Sequence, residues 1–286
     1  MTKPDAAILD NRAFLFVRGP DAEAFLQNIV SQDVATIALH DAAFACLLTP
    51  QGKILFDFFV IRDEGGFIID CFAEAAPALL KRLSLYKLRA DVTLAPLDDW
   101  AAAVVLGETP IETPDSVQAF PDPRLAALGQ RIVSDRNSVD AALTGATILT
   151  SQETYRAYCV AHGIAEFGPD FSSEEMFPMD VNYDALNGVN YQKGCFVGQE
   201  VASRMKRKGE VRKRTLVVAY DGAAPDKGEA VMAGPSKLGD ILSTANGHAL
   251  AMIRLDRWEK SKANSNKPVI DNREVRLTIP DYLNRE

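Results

Sequence analysis

Residues 192–200 read Gln-Lys-Gly-Cys-Phe-Val-Gly-Gln-Glu, and they concentrate more chemistry than any other stretch of the chain. Lys193, Cys195, Gln199 and Glu200 supply a cation, a thiol, an amide and a carboxylate, with Gly194 and Gly198 between them. Glycines so placed suit a tight turn or a close approach of backbone to another group. Reactive side chains interleaved with them are more typical of a site loop than of a core element. A cation beside a thiol raises the thiolate fraction, so Lys193 is expected to activate Cys195. Cys195 then has three open roles: nucleophile, transient thiol carrier, or one ligand of a shared cluster. The plain alternative is a surface turn with incidental polar residues. A second anomaly is Asp57, the lone polar residue in Ile54-Leu55-Phe56-Asp57-Phe58-Phe59-Val60. Strand alternation places it with Leu55 and Phe59, away from Ile54, Phe56, Phe58 and Val60. A carboxylate in that company is desolvated or faces a cavity, and desolvation favours its neutral form, which suits proton transfer. A salt-bridged or edge-strand aspartate is the plain reading.

The run Lys193-Gly194-Cys195-Phe196-Val197-Gly198-Gln199-Glu200 resembles the signature of the YgfZ family. Its members are folate-binding proteins related to the aminomethyltransferase (T-protein) of glycine cleavage, and they support maturation of certain iron–sulfur proteins. Tyr155-Arg156, His162-Gly163-Ile164, Pro178-Met179-Asp180, Arg204, Ala249-Leu250-Ala251 and Ile253-Arg254 agree with it. The resemblance implies an α+β, aminomethyltransferase-like (GcvT-like) body of two interlocked subdomains around a central channel, followed by a small C-terminal β-barrel. It implies tetrahydrofolate, or a one-carbon-substituted form, as cofactor, and iron–sulfur client or assembly proteins as partners. It makes Cys195 the functional cysteine, grouped with Asp57 and Lys193 as the catalytic set. Gln51 to Asp57 is similar to the transferase segment whose aspartate sits beside the reactive nitrogens of folate. Those enzymes commonly carry two acids in a row there; the first is Phe56 here, which argues against complete aminomethyl transfer. Asp180 matches a glutamate that accepts the pterin's paired N–H donors, one methylene shorter. Asp70 matches an asparagine near the ligand, and Gln199, Glu200 and Arg204 complete the expected cofactor-binding set.

Composition sets the frame. The chain has 286 residues, 47% hydrophobic and 24% charged, values of an ordinary globular protein long enough for two or three domains. No apolar run approaches the ~20 residues that span a bilayer. The start lacks a signal-peptide pattern, so a cytoplasmic, bacterial protein is expected, with a mature mitochondrial form as the alternative; a monomer is expected. The four cysteines form no Cys-x-x-Cys pair and the three histidines show no ligand spacing, so no metal site within the chain is expected. Cys46 and Cys71 lie in apolar runs and read as buried thiols. The net charge is −8, yet Arg204, Lys206, Arg207, Lys208, Arg212, Lys213 and Arg214 crowd residues 203–214 against the single acid Glu210. Such a patch attracts anions. It offers a counter-surface for the polyglutamate tail of folate, or a solvated hinge, or a tRNA-modification or RNA-binding surface. No aromatic residue interleaves the bases, which weighs against RNA. Phosphate-loop, nucleophile-elbow and dinucleotide-binding motifs are absent.

The elements that must position these residues follow from pattern. Residues 6–17 hold two apolar runs around Asp10-Asn11-Arg12, a hairpin-like start. Phe25, Leu26, Ile29 and Val30 make a helical stripe after Pro20. Residues 42–48 and 53–62 read as strands joined by Thr49-Pro50-Gln51-Gly52, with a further strand over 67–71. Pro77 opens a helix with Leu79, Leu80, Leu83 and Tyr86 inward. Residues 90–94, 104–106 and 117–120 read as strands, and 151–162 as a helix ending at Gly163. From 214 onward, short β-like runs at 214–220, 230–232, 237–244, 248–254 and 274–279 suggest a small barrel. Residues 260–267 read as a loop. The division is a folate-binding body over 1–208 and a β-barrel over 209–286. Function is expected to be that of a tetrahydrofolate-binding accessory factor for iron–sulfur proteins. A folate-dependent aminomethyl or one-carbon transferase is the main alternative, and an RNA-binding factor the second.

Overall fold

Three sheets carry the architecture in a computed structural model that describes residues 3–207 and 211–284. The first sheet has the order 148–150, 5–8, 100–105, 130–135, 118–121. The second is wholly antiparallel, in the order 42–48, 54–63, 66–72, 12–18, 93–96. The third spans the C-terminal region, in the order 273–274, 268–270, 230–233, 236–245, 248–254, 213–219, 276–278. Around them lie α1 (Ala22–Ile29), α2 (Ala76–Lys87), α3 (Arg136–Leu143), α4 (Gln152–Ala161), α5 (Gln199–Arg207) and α6 (Leu255–Ala263). The body thus combines helices with two mixed-order sheets, and a β-rich unit follows it, as the α+β reading expects. No helix among the described residues is long and apolar enough to cross a membrane.

The start of the chain is not a hairpin. Ala6 pairs with Val105 in the first sheet, whereas Arg12 pairs with Phe72 in the second. The chain crosses between sheets at Leu9–Asn11 and crosses back between Pro96 and Trp100. These two crossings interlock the subdomains, and the cleft described below opens beside the first of them.

The second sheet is buried on both faces. Residues 54–61 are all buried, so the run is continuously apolar apart from Asp57. A strand covered on both sides reads as an unbroken hydrophobic run rather than as alternation. α2 presents Leu79 and Leu83 fully buried, with Leu80 and Tyr86 packed partly against the core, as its spacing predicts. α4 buries Tyr155, Cys159 and Val160. Three helices were not expected: α3, α5, which takes up the end of the signature and part of the basic patch, and α6. α3 starts where Asp135 accepts a hydrogen bond from Ser138 N at 3.1 Å, a capping aspartate at the end of a strand. α6 occupies much of the expected 260–267 loop. Its polar face is solvated, and buried Trp258 and Ser261 anchor the other side.

Candidate functional site

The signature folds as a loop over 192–198 that runs into α5. Several of its residues are anchors. Lys193 is buried, and its ammonium donates to the carbonyls of Gln27 (2.7 Å), Val30 (2.8 Å) and Gln32 (2.8 Å) at the C-terminal end of α1. An ammonium has three donors, and all are committed. Burial pushes Lys193 down to about 8, with Asp33 pulling the other way. The ammonium also lies 5.3 Å from the buried Phe196 ring. Gly198 has φ +81, and a Cβ there would stand 2.5 Å from the Thr49 carbonyl oxygen. Gly52 has the same φ, and its Cβ would stand 2.9 Å from Val201 Cβ. The two glycines therefore let the loop and α5 close onto the turn between the strands 42–48 and 54–63. The physical reason for the signature is this docking.

Cys195 is the exception. It is exposed, whereas Cys46, Cys71 and Cys159 are buried. Burial raises all three of those thiols, Cys71 to about 12. A Cβ at Gly194 would meet nothing within 4 Å, so the approach to Cys195 is open on that side. The structure presents one thiol on a loop held at both flanks. The expected activation by Lys193 finds no support, because its ammonium is spent on capping α1. Gln199 donates to the Lys193 carbonyl at 3.4 Å, and Glu200 and Arg204 are exposed on α5. Within the basic patch, Lys206 lies 3.7 Å from Asp184, and buried Arg214 ion-pairs with the same carboxylate. Lys208 and Glu210 lie outside the described residues.

The second feature is a cleft of about 220 Å³ where the two body sheets meet α4. Arg12, Arg131, Phe72, Phe167, Arg156 and Glu166 give it its character. Neither Asp70, Asp57 nor Asp180 lines it. Asp70 lies fully buried behind it and organises two of its walls. It accepts from Arg12 Nε at 2.6 Å and from Arg131 Nε at 2.7 Å. Burial would raise its pKa, but the two guanidinium groups outweigh that and hold it below the usual carboxylate range. Asp70 thus does not face the cleft but holds two arginines that do. Arg131 also stacks over Phe59, 4.2 Å from the ring centroid.

Asp57 is buried as expected, and burial raises its pKa despite the hydrogen bond from Tyr183 and the charges of Arg12 and Arg124. It accepts a short hydrogen bond from the Tyr183 hydroxyl and one from Phe167 N at 3.3 Å. It therefore sits behind the Phe167 wall rather than in the cleft. Asp180 accepts from Phe177 N at 3.2 Å, and its backbone carbonyl accepts from Thr215 N at 2.8 Å. It closes a turn and staples it to the strand 213–219.

Sequence reasoning missed Arg12, Arg131, Phe167 and Glu166. None of them carried a local signal; Arg131 lies in Gln130-Arg131-Ile132-Val133-Ser134-Asp135, where polar residues outnumber apolar ones. Glu166 accepts from the Tyr155 hydroxyl at 3.1 Å and from Arg124 Nη1 at 3.3 Å. Burial would raise its pKa, and Arg124 and Arg156 reverse that. Arg156 ties the cleft to the third sheet, donating to Asp170 and to Ser243 Oγ at 2.6 Å. No group of three or more metal-ligating side chains exists among the described residues.

Residues 212–285 match the family described as CAF17, C-terminal beta-barrel domain. The mouse iron-sulfur cluster assembly factor IBA57, mitochondrial, is 30% identical over 269 residues, spanning 86% of this chain and 73% of that protein. The chain belongs to the IBA57 family. The Neurospora crassa IBA57 homolog is 32% identical over 240 residues, 76% of this chain. This chain spans only 54% of that relative's length. The human member is 28% identical over 268 residues. In fold, the crystal structure of glycine cleavage system aminomethyltransferase T from Bartonella henselae superposes with a TM-score of 0.71 at 15% identity. It covers 89% of this chain and 79% of that one. The aminomethyltransferase-like body and the C-terminal barrel are therefore as expected. The cytoplasmic expectation is overturned: the fungal, mouse and human IBA57 relatives are all named mitochondrial, which points to mitochondria.

Proposed function

We propose that this chain is an iron–sulfur cluster assembly factor that offers Cys195 as one thiolate ligand to a cluster held jointly with a partner. The carrying observation is the contrast within the signature. Lys193, Phe196 and Gly198 are consumed in fixing the loop, and Cys195 is the one cysteine among the described residues that is exposed. The names of the family's mitochondrial members support the same reading. One thiol cannot hold a cluster, which takes four ligands from outside its own iron and sulfide. The remaining ligands must come from another molecule. Ligand exchange is redox-neutral. An Fe–S bond to an outgoing thiolate breaks, the Fe–Sγ bond to Cys195 forms, and the Cys195 proton passes to the departing thiolate.

The finer reading, kinship to YgfZ with a reduced folate, rests on the 193–200 signature and on the cleft. Phe72 and Phe167 offer ring faces, and Arg12, Arg131 and Arg156 offer cations to a carboxylate or ring carbonyl. A flat, anionic heteroaromatic fits that set, and a reduced folate would supply one-carbon chemistry at its ring nitrogens. The transferase alternative has less support, because Asp57 is turned onto Tyr183 and Phe167 N behind the cleft wall. A tail-binding role for the basic patch also has less support, since Gln199, Glu200, Arg204, Lys206 and Arg207 do not line the cleft. The RNA alternative is weakened because Lys206 and Arg214 are both engaged with Asp184.

Complementation tests the central reading. In cells depleted of the protein, wild type is expected to restore the activities of iron–sulfur enzymes, and Cys195→Ser to fail while accumulating normally. Full restoration by Cys195→Ser would remove the thiolate role.

A further inference from the structure

We propose that the outer face of α2, at its C-terminal end, docks on an anionic lipid bilayer. Leu85 and Leu88 enter the headgroup region, and Lys81, Arg82, Lys87 and Arg89 meet the lipid phosphates. The pattern of the helix is the first ground. Leu79 and Leu83 are fully buried on its inner side. Lys81, Leu85 and Leu88 recur at spacings of four and three residues on the opposite side. Leu85 is 62% exposed and Leu88 88% exposed. Leu88 ends the helix at φ 47 and ψ −106, a conformation that a leucine rarely adopts. Strain that turns a large apolar side chain out to solvent points to a function for that side chain.

Charge is the second ground. Residues 75–90 hold four cations and no acid, in a chain of net charge −8. Lys81 and Arg89 are exposed, and Arg82 and Lys87 are half-buried. None of these four side chains makes a hydrogen bond or ion pair among the described residues. Exposed arginines elsewhere, such as Arg18 and Arg136, are paired with aspartates. The other large apolar side chains that stand exposed are Leu39, Ile148 and Leu149. No Lys or Arg lies within five residues of any of them. The protein's excess negative charge is screened beyond about 8–10 Å, so the local cations decide what approaches this face.

Shape is the third ground, and it favours a bilayer over a folded partner. The outer face of a helix is convex, and the two leucines stand out from it. A protein partner would have to supply an apolar pocket rimmed by carboxylates. A lipid surface is fluid and needs no shaped pocket. Lysine and arginine stems lie along apolar surface while their heads reach outward to phosphate. Tyr86, partly packed against the core, places an amphipathic ring beside the leucines.

Co-sedimentation of the full chain with vesicles tests this docking. The vesicles are phosphatidylcholine alone, or phosphatidylcholine with one third phosphatidylglycerol. Wild type is expected to bind the anionic vesicles at least about 10-fold more tightly, since each basic side chain at such a surface contributes about fivefold. Leu85→Ser combined with Leu88→Ser should weaken that binding by at least about 10-fold. Leu149→Ser, which removes an exposed leucine without cations around it, should leave it unchanged. Leu88→Gly separates docking from folding. It relieves the backbone at φ 47, so the urea midpoint should hold or rise while vesicle binding falls. If the serine pair fails to fold, Lys81→Gln combined with Arg89→Gln should weaken binding by a similar factor. Absence of wild-type binding to the anionic vesicles overturns the proposal, and so does binding kept in both double variants. Loss of binding in Arg204→Gln combined with Arg207→Gln, with the α2 variants unaffected, would move the contact to α5 and overturn it as well. Binding to poly-L-glutamate without binding to vesicles would overturn it in favour of an acidic protein.

Discussion

Replacing Lys193 by Met separates an anchoring lysine from a thiol-activating one. Methionine keeps an unbranched apolar stem, one atom shorter, and removes three donors. The Val30 carbonyl is buried at its bond, and those of Gln27 and Gln32 are part-buried. Stranding a buried acceptor costs about 1–3 kcal/mol, and the part-buried pair costs less because water can replace the ammonium. Loss of the cation over Phe196 adds about 0.5–1 kcal/mol. Against this, burial already pushes Lys193 down to about 8, so removing the charge relieves some desolvation. The balance is a destabilisation of about 3 kcal/mol. Urea denaturation followed by circular dichroism reads it directly. The second readout is the alkylation rate of Cys195 in the native protein at neutral pH. With the loop loosened and no activating cation lost, that rate should hold or rise. A stability change near zero together with a several-fold fall in Cys195 alkylation would refute the anchoring argument and restore Lys193 as the thiol's activator.

Two further substitutions test the frame around the site. Gly198→Ala places a Cβ 2.5 Å from the Thr49 carbonyl at φ +81, so it should cost about 2–4 kcal/mol and raise the mobility of the Cys195 loop. Hydrogen exchange over 192–200 would show it, and unchanged protection would contradict the docking. Asp70→Asn leaves Arg12 and Arg131 without their shared counter-charge and should destabilise by about 3–5 kcal/mol. Its pH signature has a definite sign. The folded-state pKa of Asp70 is depressed, so its contribution is complete above about pH 4 and is lost as pH falls through the lower folded value. Acid titration of stability should therefore be steeper below pH 4 in wild type than in the asparagine variant, and equal slopes would dismiss the ion triad.

Much of the secondary structure was legible because the period of the apolar residues reports it locally. The inward face of α2 and the strands 213–219, 230–233, 236–245 and 248–254 of the third sheet follow this rule, and so does the burial of Cys46 and Cys71, whereas the strand 268–270 was not read. Sheet membership was not legible. Nothing in residues 6–17 says that Ala6 will pair with Val105 and Arg12 with Phe72, because those partners lie far along the chain. The same distance hid the role of Lys193. Its neighbours in sequence suggested Cys195, while its acceptors sit more than 160 residues earlier. Asp57 was correctly seen as a desolvated carboxylate, but alternation cannot tell a cleft-facing acid from one that faces a buried tyrosine. The cleft was hidden because its walls come from separate stretches of chain, Leu9 to Arg12, Phe72, Arg131, Gln152 to Arg156 and Glu166 to Pro169, which only the fold brings together.

The central claim is that Cys195 ligates a cluster jointly with ligands from outside the chain, and a glutathione-ligated [2Fe–2S] complex puts it to the most direct test. Titrated anaerobically with this complex and followed by visible circular dichroism, the wild-type chain is expected to bind one cluster per molecule, with glutathione retained at the other positions. Cys195→Ser, equally folded, should show no such signal. A cluster bound equally well by the serine variant, or by the wild-type chain with all glutathione released, would contradict the account.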